Sequence, residues 1–493
     1  MKHGKYYLNL VMILAFVLTV SGCTSDASIL QQYRAEKMLF SANKLFQKVM
    51  INPRIARTAD YRSAITAYNN VLTHFDHHTA NASIQKVLKQ SYLTVAQLWI
   101  LQGEYDHATQ IYDAFLKDFP EDKNYGLFVH FANAKSNERI FNLNKTLSEY
   151  ETIIQQFGDI QDPLKPNINV LNLPLLMARL SASKDAGNSK ADQYKTAENY
   201  YLAQIRRHPK SETAFYSTTF LASIYADQQR WYNVIDLFDK LIRDYPGKKE
   251  LANIKLSLGN VYLDGMNQPT KALQIFDNLL KKHKDDDLSG YIYLAKAKAM
   301  IKMKQYDKAR NLLKWILETY PANKSLCASS QLTLASTYEL QGHWDRAVVE
   351  YRWVKENYPA TPQGLYIPLY IADYYQKHGA KQLVENSLNE AIKQYRELVK
   401  KYPKTVLAGM AQEYIIYCLS AQKNWASAAE AASSLKRIYP GTRSEISSYL
   451  FLGQIYENMH QPKEARQIYN RFLKKYPHHP LAAQVQNKLK LLN

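Results

Sequence analysis

Glycine is scarce in this chain, which has 16 glycines among 493 residues. That is about 3%, against a usual ~7%. So few glycines leave little material for tight β-hairpin turns or for loops that cradle phosphates, which favours an α-rich fold. Apart from one N-terminal run, no segment approaches the ~18 apolar residues of a membrane-spanning helix. Tyrosine, in contrast, is abundant at 38 residues, and the 46% hydrophobic content excludes a largely disordered chain.

Motifs for catalysis are also missing: the sequence contains no HExxH, GxSxG, GxGxxG, Walker loop or CxxC. Two neighbouring histidine pairs, His77–His78 and His478–His479, are the best candidate metal ligands, but no cysteine or carboxylate stands at ligand spacing from them. We therefore expect no enzyme activity, no catalytic residue, no metal and no cofactor.

The first residues have the pattern of a secretory signal. Lys2 and Lys5 precede an apolar run from Leu8 to Val20, and Ser21–Gly22–Cys23 follows. The run is too short for a permanent membrane span, so residues 1–22 are predicted to be a cleaved signal peptide. Val20–Ser21–Gly22–Cys23 resembles the lipobox of bacterial lipoproteins. The resemblance implies lipidation of Cys23, with residues 23–29 forming the lipidated cysteine and a short linker; the alternative is a plain signal peptide with an incidental cysteine.

Position 24 carries a sorting signal in lipoproteins of Gram-negative bacteria, where Asp retains the protein at the inner membrane. Thr24 stands there in this sequence. The resemblance therefore implies attachment to the outer membrane, facing the periplasm, if the source is Gram-negative.

The rest of the chain returns at regular intervals to an aromatic residue or histidine followed by proline. The eight dipeptides are Phe119–Pro120, His208–Pro209, Tyr245–Pro246, Tyr320–Pro321, Tyr358–Pro359, Tyr402–Pro403, Tyr439–Pro440 and Tyr476–Pro477, with degenerate copies at Phe75–Asp76, Phe157–Gly158 and His283–Lys284. Most intervals between these eleven marks are 37 or 38 residues long. This period indicates a repeat.

A small residue stands twelve positions before the second residue of most of these dipeptides. These residues are Ala64, Ala108, Ala197, Ala272, Ala309, Ala347, Ala391, Ala428 and Ala465, with Thr146 and Val234 as exceptions. Large apolar residues follow at steps of three and four, which predicts a helix with one apolar face. We expect the small residue to mark close packing on a partner helix and the proline to end the helix.

Upstream, each repeat has the pattern of a first helix. Leu452, Gly453, Tyr456, Ala465, Tyr469 and Pro477 resemble the tetratricopeptide repeat in residue type and offset, as do Leu334, Ala335, Tyr338, Ala347, Tyr351 and Pro359. The resemblance implies an all-α, tetratricopeptide-like right-handed α-solenoid of about eleven helix-turn-helix units with a C-terminal capping helix.

The repeats divide the chain into segments. Residues 30–158 form N-terminal repeats, 159–190 an irregular insertion or joint, 191–477 C-terminal repeats and 478–493 the capping helix. The insertion contains Pro163, Pro166 and Pro174, which exclude one continuous helix. It is predicted to be a structural joint or a partner-binding loop. Seven extra residues between Ala372 and Ala391 are most simply two added helical turns.

Tetratricopeptide superhelices line a groove with the first helix of each unit, and the groove holds a segment of a partner. Carried over by offset, the groove positions are Gln90, Leu93, Gln97, Tyr216, Thr219, Ser223, Ser329, Leu332, Ser336, Ser447, Leu450 and Gln454. They are mostly polar or small, which suits a bound peptide backbone; the alternative is that several are simply solvated.

The two internal cysteines, Cys327 and Cys418, stand about two repeats apart, too far for a disulfide, and are predicted to be buried. The formal net charge is +19, and removal of Lys2 and Lys5 with the signal peptide leaves +17. Part of this excess lies in the last turns of helices, where cations complement the helix dipole.

The layout resembles the tetratricopeptide lipoproteins of the outer-membrane β-barrel assembly machinery and the related Tol-Pal-associated periplasmic repeat proteins. This implies a membrane-anchored scaffold whose partners are envelope proteins, such as outer-membrane barrel or secretion components. The larger number of repeats in this chain raises a second hypothesis, the scaffold of a polysaccharide or pilus secretion apparatus. A third is direct binding of an anionic glycan. A secreted, lipid-anchored chain is not expected to bind nucleic acid.

Overall fold

The computed structural model describes residues 26–51, 56–158, 169–184, 190–283, 288–479 and 481–492. The predicted signal peptide, 1–22, and the predicted lipidation site, Cys23, lie outside these residues. Within the described ranges every regular element is helical.

The described α-helices have the following bounds. They are α1 Asp26–Ile51, α2 Thr58–His74, α3 Ala82–Gln102, α4 Tyr105–Asp118, α5 Gly126–Arg139, α6 Leu143–Phe157, α7 Leu173–Lys184, α8 Lys190–Arg207, α9 Glu212–Asp227, α10 Trp231–Asp244, α11 Leu251–Asn260, α12 Pro269–Leu280, α13 Ser289–Lys302, α14 Tyr306–Thr319, α15 Lys324–Leu340, α16 Trp344–Asn357, α17 Pro362–Lys377, α18 Lys381–Lys401, α19 Val406–Ala421, α20 Trp425–Ile438, α21 Arg443–Asn458, α22 Pro462–Lys475 and α23 Ala482–Leu491. A 3₁₀ turn, Val170–Asn172, precedes α7, and one π-helical turn, Val261–Gly265, follows α11.

Taken in chain order, α1 to α22 form eleven helix-turn-helix repeats, and α23 follows the last of them. The predicted all-α, tetratricopeptide-like fold of about eleven repeats is confirmed. The seven extra residues of the ninth repeat lie in its second helix: α18 has 21 residues, whereas α16 and α20 have 14 each.

The small residues of the second helices are in the core. All eleven, including Thr146 and Val234, are 3% exposed or less. The eight aromatic or histidine residues before proline each lie one position after the end of a second helix. Both predicted roles, close packing at the small residue and helix termination before the proline, are therefore confirmed. Cys327 and Cys418 are free and buried, as expected, and burial raises the pKa of the Cys418 thiol to about 12.

The segment 159–190, interpreted from sequence as an insertion or joint, contains helix α7, in which Pro174 occupies the first turn, where proline is tolerated. Helix α7 packs on α8, so it is the first helix of the fourth repeat. Residues 159–168 and 185–189 lie outside the described part of the chain.

A hydrogen bond of constant spacing ties the two helices of three repeats together. Tyr351 and Tyr469 each donate to the glutamate twelve residues earlier, Glu339 and Glu457, at 2.5 Å. Tyr150 donates in the same way to Glu138. Burial, followed by the adjacent carboxylate, raises the pKa of all three tyrosines, so each hydroxyl keeps its proton and remains a donor.

The chain divides into two compact units. The first comprises Met1–Leu101 and Ala114–Pro120, and the second Gln102–Asp113 and Glu121–Asn493. In the first unit α1 packs on α2, and Tyr68 donates a hydrogen bond of 2.6 Å to Asn43. In the second unit each helix from α5 to α23 packs on the next one along the chain, so the core is continuous through stacked neighbours.

Candidate partner-binding surfaces

The predicted groove positions lie on four first helices. Gln90, Leu93 and Gln97 are on α3; the other sets are on α9, α15 and α21, namely Tyr216, Thr219 and Ser223, then Ser329, Leu332 and Ser336, then Ser447, Leu450 and Gln454. All twelve are exposed or half-buried. Their role in binding remains a prediction.

Several of these side chains already have partners within the chain. Gln454 accepts a hydrogen bond of 2.8 Å from Lys488 of α23 and donates one of 3.1 Å to Glu457. Ser329 accepts from Gln363 of α17 at 3.0 Å. The bonds with Lys488 and Gln363 join Gln454 and Ser329 to neighbouring helices and stabilise their stacking. Gln90 and Gln97 on α3 are exposed, and so their side chains are accessible to a partner.

A larger feature lies at equivalent offsets on α17 and α19, which the prediction did not include. Tyr366 and Tyr417 occupy these offsets and are each 52% exposed. Tyr366 packs against Tyr370 at 5.7 Å between ring centroids, and Tyr417 packs against Tyr414 at 6.5 Å and Phe451 of α21 at 4.9 Å. We call these five residues the aromatic surface. They lie on the first helices of three consecutive repeats.

The edge of the aromatic surface is polar. Tyr370 donates to Glu339 at 2.7 Å, and burial together with that carboxylate raises the pKa of Tyr370 to about 12. On α17, Lys377 pairs with Asp373 at 2.6 Å. Large rings with one polar end, surrounded by charged side chains, are typical of protein interfaces, because they bury apolar area at low entropy cost. The high tyrosine content was the sequence signal for this surface.

The second compact unit also contains a cavity of about 640 Å³ between the α5–α6 turn and the segment that leads into α23. Phe141 in the turn contacts His479 at 4.1 Å between ring centroids. Burial lowers the pKa of His479 to about 4, so the imidazole is neutral at neutral pH. Leu180 of α7 lines the same cavity.

An equivalent contact is made by two residues that each lie one repeat earlier in the chain than Phe141 and His479. Gly103, in the α3–α4 turn, lies against Gly441, so closely that a Cβ on Gly441 would be 2.8 Å from the Gly103 Cα. Both glycines have φ near +70° to +80°, a conformation that glycine adopts without strain. Residues 103 and 141 are separated by the same 38 positions as 441 and 479. The two contacts therefore follow the repeat in register.

No group of three or more His, Cys, Asp or Glu side chains in the described ranges has the arrangement of a metal site. His77 bonds to Asp118 and to the Leu72 carbonyl oxygen, the latter at 2.6 Å. His479 packs between Phe141 and Phe472. The contacts of His77 and His479 are therefore packing and hydrogen-bond contacts within the chain.

Among the helices that the structure describes, none combines the length and apolar character required to cross a bilayer.

Two stretches of the sequence match the tetratricopeptide repeat family, residues 383–442 and residues 448–479. No curated protein gives a significant match to the chain.

Solved structures with a similar fold include yeast Tom70, at 14% identity and a TM-score of 0.38, covering 94% of this chain and 96% of that one. A tetratricopeptide repeat protein from Parabacteroides merdae is similar at 13% identity and a TM-score of 0.28, covering 59% and 98%. The type IV pilus biogenesis factor PilW is similar at 16% identity and a TM-score of 0.33, covering 49% and 97%.

The family matches lie on helices α18 to α22, within the array of helical hairpins described above. Residues 383–442 and 448–479 therefore contain tetratricopeptide repeats, and this repeat fold supports a scaffold for protein–protein interactions.

Proposed function

We propose that this protein is a membrane-anchored, periplasmic scaffold that binds an envelope protein through the aromatic surface. The observation that supports the proposal is the exposure of Tyr366 and Tyr417 on first helices of adjacent repeats, with Phe451 in ring contact with Tyr417. An extended or helical segment of a partner, with apolar side chains, would bury these rings. The partner class is an envelope assembly or secretion component.

The binding surface is tested by placing a photocrosslinking amino acid at Tyr417 in cells. A discrete protein adduct is expected at this position. The control is the same substitution at Tyr232, which is 73% exposed on the second helix α10, away from the first-helix positions. Equal crosslinking at both positions, or at neither, would contradict the proposal.

The anchor is tested separately with Cys23→Ala in the full chain. Lipidation at Cys23 predicts that the substitution releases the protein from membranes washed with high salt, because salt screens contacts between surface charges whereas two acyl chains give stable attachment. Unchanged association with the salt-washed membranes would exclude the anchor.

The glycan hypothesis has a different signature. If the chain binds an anionic glycan instead, purified protein is retained on an anionic polysaccharide and released by salt, since exposed charges are screened. In that case Tyr366→Ala and Tyr417→Ala would leave retention unchanged, and no protein adduct would form at Tyr417.

A further inference from the structure

Helix α1 is apolar on two opposite sides. Ala35, Ala42 and Val49, seven residues apart, are fully buried. On the other side, five large apolar side chains are between 50% and 86% exposed: Ile29, Leu30, Tyr33, Phe40 and Ile51. Ile29, Tyr33, Phe40 and Ile51 follow one another at steps of four, seven and eleven residues. These steps are close to whole turns at about 3.6 residues per turn. They therefore form one exposed stripe along the helix.

Basic residues accompany this stripe. Arg34, Lys37, Lys44 and Lys48 are all exposed, and the Lys44 ammonium lies 4.8 Å from the centre of the Phe40 ring. Among the described side chains of α1, Glu36 is the one acid, and it accepts a hydrogen bond of 3.0 Å from Gln32. The exposed side of α1 is thus both apolar and positively charged.

We infer that the exposed side of α1 lies on an anionic phospholipid surface, with Tyr33 and Phe40 at the level of the headgroups. Aromatic rings suit that level because they are amphipathic. Lysine and arginine extend their charged ends to phosphate while their methylene stems cover apolar surface. Basic and apolar residues on one helix face are the combination that binds helices to membrane surfaces.

The position of the helix in the chain agrees with this occupant. Helix α1 begins at Asp26, three residues after Cys23, and three residues span at most about 11 Å. An acyl chain on Cys23 would therefore hold the start of α1 at the bilayer. This part of the inference rests on the proposed anchor, whereas the chemistry of the helix face does not.

A second copy of the chain is the alternative occupant, and the charges oppose it. In a symmetric dimer the same face meets itself, which would place the four cations of one copy near those of the other. Like charges brought together at an interface are unfavourable. An anionic headgroup layer is complementary to the same charges.

The test uses residues 24–493, which contain every described element but neither Cys23 nor the signal peptide. Vesicles of phosphatidylethanolamine and phosphatidylglycerol are sedimented with the protein and compared with pure phosphatidylcholine vesicles. We expect binding to the anionic vesicles, and a loss of about tenfold or more for Phe40→Ser, since a buried aromatic ring is a large part of such binding. Lys37→Glu combined with Lys48→Glu should lose at least as much.

The matched control is Tyr232→Ser, which removes from α10 a ring that is 73% exposed, against 60% for Phe40, and should leave vesicle binding unchanged. Circular dichroism and the thermal midpoint check that each variant is folded. Equal binding of the Phe40→Ser variant and the unsubstituted chain would overturn the inference, as would equal binding to both kinds of vesicle. A third result would also overturn it: the protein fails to bind vesicles, and sedimentation equilibrium shows a dimer that the Phe40→Ser substitution dissociates. Because Cys23 is absent, the result does not depend on the anchor.

Discussion

At each of several junctions between repeats, one hydroxyl side chain makes two hydrogen bonds. Thr405 donates to the carbonyl oxygen of Tyr402 at 2.7 Å and accepts from the amide of Ala408 at 3.2 Å. It thereby links the end of α18 to the start of α19 and satisfies one of the amides that a helix leaves unpaired at its N-terminus. The same pair of bonds occurs at Ser211, Thr361 and Thr442.

Thr405→Ala removes both bonds and should lower the free energy of unfolding by about 1 kcal/mol. Chemical denaturation of the full chain, with amide exchange of α19 as the local readout, measures the effect. Thr405→Ser keeps the hydroxyl and should retain most of the stability. Equal losses for the two variants would show that the methyl group, not the N-cap, is what matters.

Gly453 illustrates the packing between the helices of one repeat. A Cβ at this position would lie 2.1 Å from the Tyr469 ring, in the second helix of the same repeat. Tyr469 is itself fully buried and bonded to Glu457, so it has little room to move.

We therefore expect Gly453→Ala to destabilise the last repeat by about 1–3 kcal/mol, through overpacking. Gly247→Ala is the control, because a Cβ there meets no atom within 4 Å. Denaturation followed by the fluorescence of the chain, with amide exchange in α21 and α22, distinguishes them. Similar stabilities for the two variants would contradict the packing argument.

At the scale of elements, the α5–α6 hairpin contains a buried charge network. Glu149 of α6 accepts hydrogen bonds from His130 at 2.6 Å and Asn133 at 3.1 Å, and its carboxylate pairs with Lys145 at 3.1 Å. Burial by itself would raise the pKa of Glu149. The hydrogen bonds from His130 and Lys145, with the charge of Lys145, outweigh burial and lower the pKa below the ordinary value of 4.5.

A lowered folded-state pKa means that the unfolded chain binds the proton more readily. The stabilisation from Glu149 is therefore complete above the ordinary carboxyl pKa and is lost as the pH falls through the lower folded-state pKa. We expect amide protection in α5 and α6 to decline below about pH 4.5, and Glu149→Gln to remove that part of the decline. Glu151→Gln, at an exposed position on the same helix, should keep it. A decline of equal size in both variants would mean that groups other than Glu149 cause the loss of amide protection.

At the scale of the whole molecule, stability in the second compact unit is a sum over stacked neighbours, with one addition. In an array of repeats each one contacts its neighbours, so the last repeat has a single neighbour and depends on α23 to cover it. The contact between Phe141 and His479 adds a second support for the C-terminal end, from a turn far away in sequence.

Phe141→Ala should remove this support and speed amide exchange in α23 by up to about tenfold, the range of a lost aromatic contact. Lys304→Ala is the matched control, because Lys304 has the same positive φ of 60° in the equivalent turn of the α13–α14 repeat. Protection in α23 that is unchanged by Phe141→Ala, or reduced equally by Lys304→Ala, would exclude a supporting role for the ring.

Much of the fold follows from local pattern. The period of 37 or 38 residues, the small residue at a constant offset and the proline after each aromatic predicted the repeats, their close contacts and their helix ends. These features are local because a helix face, a cap and a proline each act over a few residues. Other local features were less visible: among the described residues, six turns within repeats contain a non-glycine residue with positive φ, such as Gln229 and Lys423, at positions where sequence would favour glycine.

The amino-acid sequence by itself therefore determined the repeat, its count and its core, because each repeat encodes the same short-range packing. Tertiary structure decided which residues far apart in sequence come into contact and which apolar surfaces remain exposed. The contact of Phe141 with His479, the aromatic surface across α17, α19 and α21, and the exposed apolar side of α1 all depend on how successive repeats are placed against one another. That placement sums small inter-helix geometries over many repeats, and no single motif records the sum.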